Sequence, residues 1–471
     1  MSGLTLTLGW VTDAVGGELR SGSPEQPIGP VVTDTRSLVA GDFFVALRGE
    51  RFDAHEFVDE ALARGASGAI VARAFTARQA NREGAPRGGV IAVDDTLKAL
   101  QELAHAVRKT AATRVIAITG SAGKTTTKET IAEFLAARYD VVKNKGNLNN
   151  HIGLPLSLMQ LRSGPDVAVM ELGMNHSGEI STLVAIAEPD VRVWTNVGDA
   201  HLGFFASPDA IADAKAEILE RATKDTLLVY NADDPRVTAR VGAFIGRARS
   251  FGLDAGADVR AEQVEDLGVH GMRARLATPA GTAAIESPLL GRGNLANVLA
   301  ATAVGLEFGI ALDEMVARAA RLSPADRRGA VRRLRDGVVL IDDSYNSSPA
   351  ALLKALDVLA RDRQAARKVA VLGEMRELGD HALRLHGECG RAAAMSELAA
   401  LVCVGGAPAR AMADAAIEAG LAAAAVSYFD NSDAAAPAVL ELLRPGDLVL
   451  VKGSRGTRTD IVADRIAGEL A

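Results

Sequence analysis

The chain has 471 residues and a formal net charge of -7, with acidic and basic side chains mixed along its length. This length exceeds what one hydrophobic core usually supports and predicts about three domains. Hydrophobic residues make up 48% of the chain and aromatic residues 4%, which suits helices packed on buried parallel strands and excludes a fibrous or disordered chain. No basic stripe of the kind that duplex nucleic acid requires is present, so we expect no nucleic-acid partner.

The amino terminus and the cysteines indicate the compartment. The first residues have no basic segment and reach Asp13 before an apolar run of signal-peptide length. The Ala-rich stretches near Ala392 and Ala422 are interrupted well before the ~20 residues that a membrane span needs. Two cysteines, Cys389 and Cys403, are too few for a secreted disulfide framework. We therefore expect a cytoplasmic protein without a membrane span, and buried core thiols.

The predicted elements fall into three groups in chain order. Leu97, Leu100, Leu103 and Val107 have helical spacing and predict the helix that closes a first domain, residues 1–110. A second domain, 111–323, begins with a strand at 115–119, a glycine loop and a helix at 124–138, followed by strands at 167–170, 191–195 and 227–230. A stretch rich in Pro, Arg and Gly at 323–329 predicts the next boundary. The third domain, 324–471, has predicted strands at 338–341, 369–372, 401–404 and 448–451.

The alternation of buried strands with helix-length segments indicates parallel sheets. We predict an α/β fold with three domains: an N-terminal α/β domain, a central doubly wound domain with a phosphate loop, and a C-terminal Rossmann-like α/β domain.

The glycine loop after the strand at 115–119 reads TGSAGKTT (119–126). Between a buried strand and a helix, backbone N–H groups and the helix N-terminus converge on one point and favour a phosphate group. The glycines permit close approach of the backbone, Lys124 can hold phosphate oxygens, and the Thr125 hydroxyl can coordinate Mg²⁺. The position five before Gly123 is Ile118, whereas a complete Walker A pattern has glycine there. The sequence predicts ATP binding, and an accidental glycine turn is the alternative.

Polar residues follow two other predicted strands of the central domain. Glu171 comes directly after the strand at 167–170, and His201 lies a few residues after the strand at 191–195. The carboxyl ends of strands in open α/β sheets border the ligand crevice, so both side chains could hold Mg²⁺ near the nucleotide phosphates. Glutamate after a strand is, by itself, more often a helix cap or a surface residue, and Lys215 by itself is more often a solvated helix lysine.

Segments along nearly the whole chain resemble the Mur ligase family. The loop matches the family's shortened TGSxGKTTTK form, which explains the missing first glycine. Further matching segments are TDTR (33–36), GDFFVAL (41–47), DAH (53–55), NLNN (147–150), ELGMN (171–175), DDSYN (342–346), LGEM (372–375) and KGSRG (452–456). The form of NLNN and ELGMN is that of the member that adds D-alanyl-D-alanine.

The resemblance implies roles for individual residues. It implies a nucleotide site of Gly120, Ser121, Ala122, Gly123, Lys124, Thr125, Thr126, Asn297, Arg328 and Asp343. It implies catalytic roles for Lys124, Lys215, His201 and Arg328, and metal ligation by Thr125, Glu171, His201 and a carbamylated Lys215. It implies substrate contacts by Thr35, Arg36, Asn149, Asn150, Asn175, Tyr345 and Asn346. Gly293 departs from the family's usual HNxxN segment, in which a histidine precedes Asn294.

The activity that the resemblance implies is an ADP-forming ligation in peptidoglycan precursor synthesis. The substrates would be ATP, UDP-N-acetylmuramoyl-tripeptide bound by the first domain, and D-alanyl-D-alanine bound by the third, with two Mg²⁺ ions and a monomeric enzyme. The alternatives are the related ligase that adds a diamino acid, folylpolyglutamate synthase, and a noncatalytic ATP-binding protein. The NLNN and ELGMN segments argue against the first, and TDTR and GDFFVAL argue against the second.

Overall fold

Each of three β-sheets is covered by helices of its own chain segment. The computed structural model describes residues 3–49, 52–75, 88–199, 202–254 and 256–471, and the elements below belong to these ranges. The sheets follow one another along the chain without exchanging strands, but one cluster of buried apolar residues runs through all three segments.

The first sheet contains five strands among the described residues, in the order β1-β5-β4-β3-β2. Strands β2 to β5 are parallel, and β1 pairs with β5 in the antiparallel direction. The predicted closing helix is confirmed as α3, which begins after the capping carboxylate of Asp95 and buries Leu100, Leu103 and Val107. The strands are β1 Glu18–Ser21, β2 Val31–Val32, β3 Phe43–Val45, β4 Gly68–Ala72 and β5 Gly89–Val93; the helices are α1 Leu8–Ala14, α2 Val58–Ala63 and α3 Thr96–Thr110.

The central sheet has nine strands within the described ranges, in the order β14-β13-β12-β11-β10-β9-β6-β8-β7. The strands are β6 Arg114–Thr119, β7 Val141–Lys143, β8 Val167–Glu171, β9 Val191–Trp194, β10 Leu227–Asn231, β11 Arg247–Gly252, β12 Val259–Asp266, β13 Met272–Thr278 and β14 Gly281–Ser287. The helices are α4 Lys124–Leu135, α5 Gly153–Leu158, α6 Glu179–Ala187, α7 Pro208–Ala216, α8 Pro235–Val241, α9 Gly291–Glu307 and α10 Leu312–Ala319.

The prediction of a doubly wound parallel sheet holds for β6 to β12 but not for the edge of the central sheet. Strands β12, β13 and β14 form an antiparallel meander that the sequence analysis did not predict. Buried and exposed residues alternate along much of these strands because one face meets solvent. A search for continuous apolar runs therefore passes over them.

The last sheet, as far as the chain is described, has six strands in the order β15-β16-β20-β17-β18-β19. The parallel prediction holds except for β15, which runs antiparallel to β16 at the edge. The strands are β15 Ala330–Arg333, β16 Val339–Asp343, β17 Arg367–Gly373, β18 Ala400–Val404, β19 Val426–Phe429 and β20 Asp447–Lys452. The helices are α11 Pro349–Arg361, α12 Ala382–Ala394, α13 Ala407–Glu418, α14 Ser432–Leu442 and α15 Asp460–Glu469.

Both cysteines lie in the core of the last segment. Cys389 and Cys403 are free and buried, as predicted. Burial raises the pKa of each thiol to about 12, so both remain protonated at neutral pH. Within the described ranges, no helix has both the length and the apolar composition of a membrane span.

Hydrogen bonds join the central segment to the first segment and to the last segment. Arg162 of the central segment donates to the carbonyl oxygens of Gly29, at 2.7 Å, and Ile28, at 3.0 Å, in the first segment. On the other side, the Gly203 N–H donates to the Glu377 carbonyl of the last segment at 2.8 Å. The last segment therefore contacts the part of the central segment that follows β9.

Candidate active site

The phosphate loop connects β6 to α4. Gly123 precedes α4 with a φ of +82°, and no side-chain hydrogen bond caps the first turn. A Cβ at Gly123 would lie 2.4 Å from Oδ1 of Asn297, so both the backbone conformation and the space require glycine. The uncapped helix N-terminus thus points at the concave side of the loop, where an anion is favoured.

Asn196, which the sequence analysis did not single out, braces the loop from the end of β9. Its Oδ1 accepts from the Ala122 N–H at 2.9 Å, and its Nδ2 donates to the Ala122 carbonyl at 3.0 Å. Beside it, the Gly198 N–H donates to Oγ of Ser121 at 2.8 Å. The position of Asn196 just after a predicted strand next to β6 is the sequence signal that could have found it.

Lys124 is the first residue of α4, and its side chain folds back over the loop. Its Nζ donates to the Gly120 carbonyl at 2.8 Å. Desolvation lowers the pKa of Lys124, and the charge of Arg328 lowers it further, whereas Glu171 acts in the opposite direction. A bound phosphate group would relieve this unfavourable environment.

Glu171 ends β8 and is 5% exposed. The Thr125 hydroxyl donates to its Oε2 at 2.7 Å, and Nδ2 of Asn149 donates to its Oε1 at 2.9 Å. Burial by itself raises the pKa of this carboxyl, but the Lys124 charge, the Thr125 hydrogen bond and the Arg328 charge outweigh it, so the net direction is down. Asn144, also missed from the sequence, accepts from the Glu171 N–H at 3.0 Å and so holds the strand end in place.

Lys215 lies on α7 and is 1% exposed. Its amine has no hydrogen bond or ion pair with any residue that the structure describes. Desolvation lowers its pKa well below the ordinary value of 10.5, and the nearby charge of Lys124 lowers it further. His201, its predicted partner in a metal site, lies outside the described residues.

Arg328 comes from the last segment, two residues before β15 begins. Pairing of β15 with β16 places it beside the turn that follows β16, so its guanidinium carbon lies 4.2 Å from the centre of the Tyr345 ring. Lys452, the last residue of β20, lies beside this turn. Its Nζ donates to Asp343 at 2.6 Å and to the Asn346 carbonyl at 3.0 Å. Burial raises the pKa of Asp343 even against this pairing.

Two cavities meet at the phosphate loop, and Arg328 borders both. The first, of about 490 Å³, lies between α9 and α11, and its lining includes Ser121, Ala122, Gly123, Thr126, Asn297, Arg328 and Asp343. The second, of about 510 Å³, includes Lys124, Thr125, Glu171, Asn149, Asn150, Asn175, Tyr345 and Asn346 in its lining. The structure thus gathers residues that are distant in sequence. Arg376 and Arg455 also line the second cavity and were not predicted.

The predicted residues of the first segment stand apart. Thr35 and Arg36 are among the linings of neither cavity. Arg36 forms an ion pair with Asp34 at 2.6 Å, and its side chain is 90% exposed. The structure therefore does not bring these two residues to the phosphate loop.

Three family models cover most of the chain. They are described as the Mur ligase family catalytic domain, the Mur ligase middle domain, and the Mur ligase glutamate ligase domain, and they match residues 27–108, 118–305 and 327–455. The chain is also 35% identical over 467 residues to the UDP-N-acetylmuramoyl-tripeptide--D-alanyl-D-alanine ligase of Bacillus subtilis (strain 168), covering 98% of each protein. The chain belongs to the Mur ligase family.

Solved Mur ligase structures share the whole architecture. A crystal structure of MurF from Acinetobacter baumannii is 33% identical, with a TM-score of 0.88 over 99% of this chain and 100% of that one. The MurF ligase of Thermotoga maritima, crystallised in complex with ADP, is 29% identical, with a TM-score of 0.81 over 93% of this chain and 97% of that one. The three-domain α/β fold and the family resemblance predicted from the sequence are confirmed.

Proposed function

We propose that this Mur ligase is a monomeric cytoplasmic enzyme that uses ATP to join D-alanyl-D-alanine to UDP-N-acetylmuramoyl-tripeptide. The observation that carries the proposal is that the phosphate loop, Glu171 and Arg328 meet between two cavities, each large enough for a substrate portion. The Bacillus subtilis relative, whose name states this reaction, supports it because the alignment spans 98% of each chain.

The proposed reaction proceeds in two steps. The terminal carboxylate of the tripeptide attacks the γ-phosphorus of ATP, which gives an acyl phosphate and releases ADP. The D-alanyl-D-alanine amine then attacks the acyl carbon, forms the amide and releases phosphate. Phosphoryl transfer depends on positioning and charge neutralisation, so Lys124, Arg328 and the N-terminus of α4 supply what it needs without a protein nucleophile.

The side-chain oxygens of Thr125, in the first turn of α4, and of Glu171, at the end of β8, fit magnesium. The Thr125 hydroxyl and the Glu171 carboxylate lie 2.7 Å apart, and both are the hard ligands that Mg²⁺ prefers. The described residues contain no group of three or more His, Cys, Asp or Glu side chains that could hold a metal. The remaining ligands would be phosphate oxygens and water, as is usual for Mg²⁺ at nucleotide sites. The ion, when bound, screens the repulsion between the triphosphate and the attacking carboxylate.

Lys215 is the proposed site of a carbamate. Its lowered pKa leaves the amine neutral at lower pH than an ordinary lysine, and the neutral amine is the form that attacks CO₂. The N–C bond forms, a proton leaves, and the side chain becomes an anion. This anion would attract Lys124 and offer oxygen ligands to a second Mg²⁺, which His201 would share.

The domains would divide the substrates among them. Residues 1–110 would bind the UDP-sugar, with Thr35 and Arg36 as contacts, residues 111–323 would bind ATP, and residues 324–471 would bind the dipeptide and close over the nucleotide. The amide side chains in the second cavity suit the peptide end of the UDP-linked substrate. Arg376 and Arg455 in the same cavity suit a carboxylate.

Phosphate release tests the proposal directly. The purified full chain with ATP and Mg²⁺ should release phosphate only when UDP-N-acetylmuramoyl-tripeptide and D-alanyl-D-alanine are both present. Lys124→Ala should release none above background, because it loses a phosphate contact, whereas Lys224→Ala, at an exposed lysine, should keep the full rate. Release that requires the UDP-linked dipeptide and a diamino acid would assign the chain to the sister ligase instead.

A further inference from the structure

We propose that Lys354 binds the nucleoside part of ATP, in the space that Gly293 leaves open at one end of the first cavity. The inference deepens the proposed function and rests on it for the identity of the nucleotide. It assigns a specificity-determining contact to a residue of the last segment, on α11, opposite the central segment's α9.

The two residues share one space across the domain boundary. A Cβ built on Gly293 would lie 3.4 Å from Cδ of Lys354, 3.9 Å from its Cε and 3.8 Å from its Nζ. The lysine side chain therefore lies where a longer residue at position 293 would extend. A cation of the last segment therefore occupies the space beside Gly293 on α9.

The position of Asn297 tells which end of the nucleotide Lys354 faces. Asn297 touches the phosphate loop, since a Cβ at Gly123 would lie 2.4 Å from its Oδ1. Gly293 lies one turn earlier on α9, about 6 Å further along the helix axis. A nucleotide whose phosphates occupy the loop would extend its ribose and base past this turn, and Lys354 lines the same cavity.

The Lys354 amine is available for a ligand. It makes no hydrogen bond or ion pair with the described part of the chain. The side chain is exposed to the cavity. Surrounding protein atoms nevertheless lower the pKa of the Lys354 amine by desolvation, and the charge of Asp234 acts in the opposite direction. A lysine ammonium here can stack on the face of a purine or donate to ribose hydroxyls.

The test compares two probes on the full-length protein by calorimetry. Lys354→Ala should raise the Kd for Mg·ADP about 3- to 10-fold and leave the Kd for inorganic tripolyphosphate unchanged, because tripolyphosphate has no nucleoside. Lys224→Ala, which removes an exposed lysine of the central segment that lines neither cavity, should change neither constant. The double variant Lys354→Ala/Gly293→His should recover ADP affinity, because a ring then fills the shared space.

Each other outcome is informative. An unchanged ADP Kd in Lys354→Ala, with normal binding by the unmodified chain, would overturn the inference and leave the proposed function standing. Equal weakening of ADP and tripolyphosphate would overturn the assignment to the nucleoside. If the double variant does not recover ADP affinity, the inference that positions 293 and 354 share one space is wrong. Failure of the unmodified chain to bind ADP would overturn the proposed function as well.

Discussion

Lys215 is a buried amine next to a second lysine, Lys124, and no described residue carries a charge that pairs with it. Burying an unpaired charge is expensive, so a lysine in this place is kept neutral or is chemically modified. Residues of this kind concentrate at functional sites because function, not stability, retains them. The carbamate proposal accounts for both the burial and the unfavourable neighbour.

Lys215→Ala should lose activity by about 100-fold or more, since the variant lacks the proposed ligand for a second metal ion. Formate or acetate should restore part of the rate, because the truncated side chain leaves room for a small carboxylate. The measurement is phosphate release against carboxylate concentration at constant ionic strength, with Lys224→Ala as the variant that the additive should not affect. Absence of rescue in a folded variant would contradict the carbamate.

The element that matters most for the nucleotide is the N-terminus of α4. Its position depends on Gly123, whose positive φ turns the chain into the helix, and on Asn297 of α9, which packs against that turn. The edge strand β15 has a comparable role in the last sheet. Because it pairs with β16, Arg328 reaches Tyr345 and the phosphate loop at once.

Gly123→Ala should both destabilise the protein and weaken ADP binding. The positive φ costs roughly 1–3 kcal/mol for a residue with a Cβ, and the added methyl group would displace Asn297 from the loop. Gly164→Ala is the matched control, since Gly164 has a φ of +74° but no atom within 4 Å of an added Cβ. The midpoint temperature of thermal unfolding should fall for both variants. Titration calorimetry should show weaker ADP binding for Gly123→Ala alone. Equal ADP binding by the two variants would contradict the role of the turn.

At the scale of the whole molecule, the central and last segments meet at a cluster of charged side chains. Arg328 of the last segment acts electrostatically on Lys124 and Glu171 of the central segment, and the Gly203–Glu377 hydrogen bond joins the same two segments. Repulsion between Arg328 and Lys124 opposes this arrangement until an anion enters. Closure would also exclude water from an acyl phosphate.

A nonhydrolysable ATP analogue with Mg²⁺ should therefore lower the radius of gyration in small-angle scattering, because the triphosphate neutralises the charges that meet on closure. Mg²⁺ alone should leave the radius unchanged. In Arg328→Ala the nucleotide-dependent decrease should be smaller, since one contact across the boundary is lost. A radius that stays the same with and without the analogue in the unmodified chain would contradict nucleotide-driven closure.

Local sequence determined the elements that are buried on both sides and the loop that joins β6 to α4. Continuous apolar runs, and the helical spacing of the apolar residues in α3, indicate directly which surfaces are buried. The glycines of TGSAGKTT indicate the conformation of the loop. Only the tertiary structure decided the antiparallel edges, the bracing by Asn144 and Asn196, and the approach of Lys354 to Gly293. These depend on which surfaces of distant segments meet, and periodicity along one segment does not contain that information.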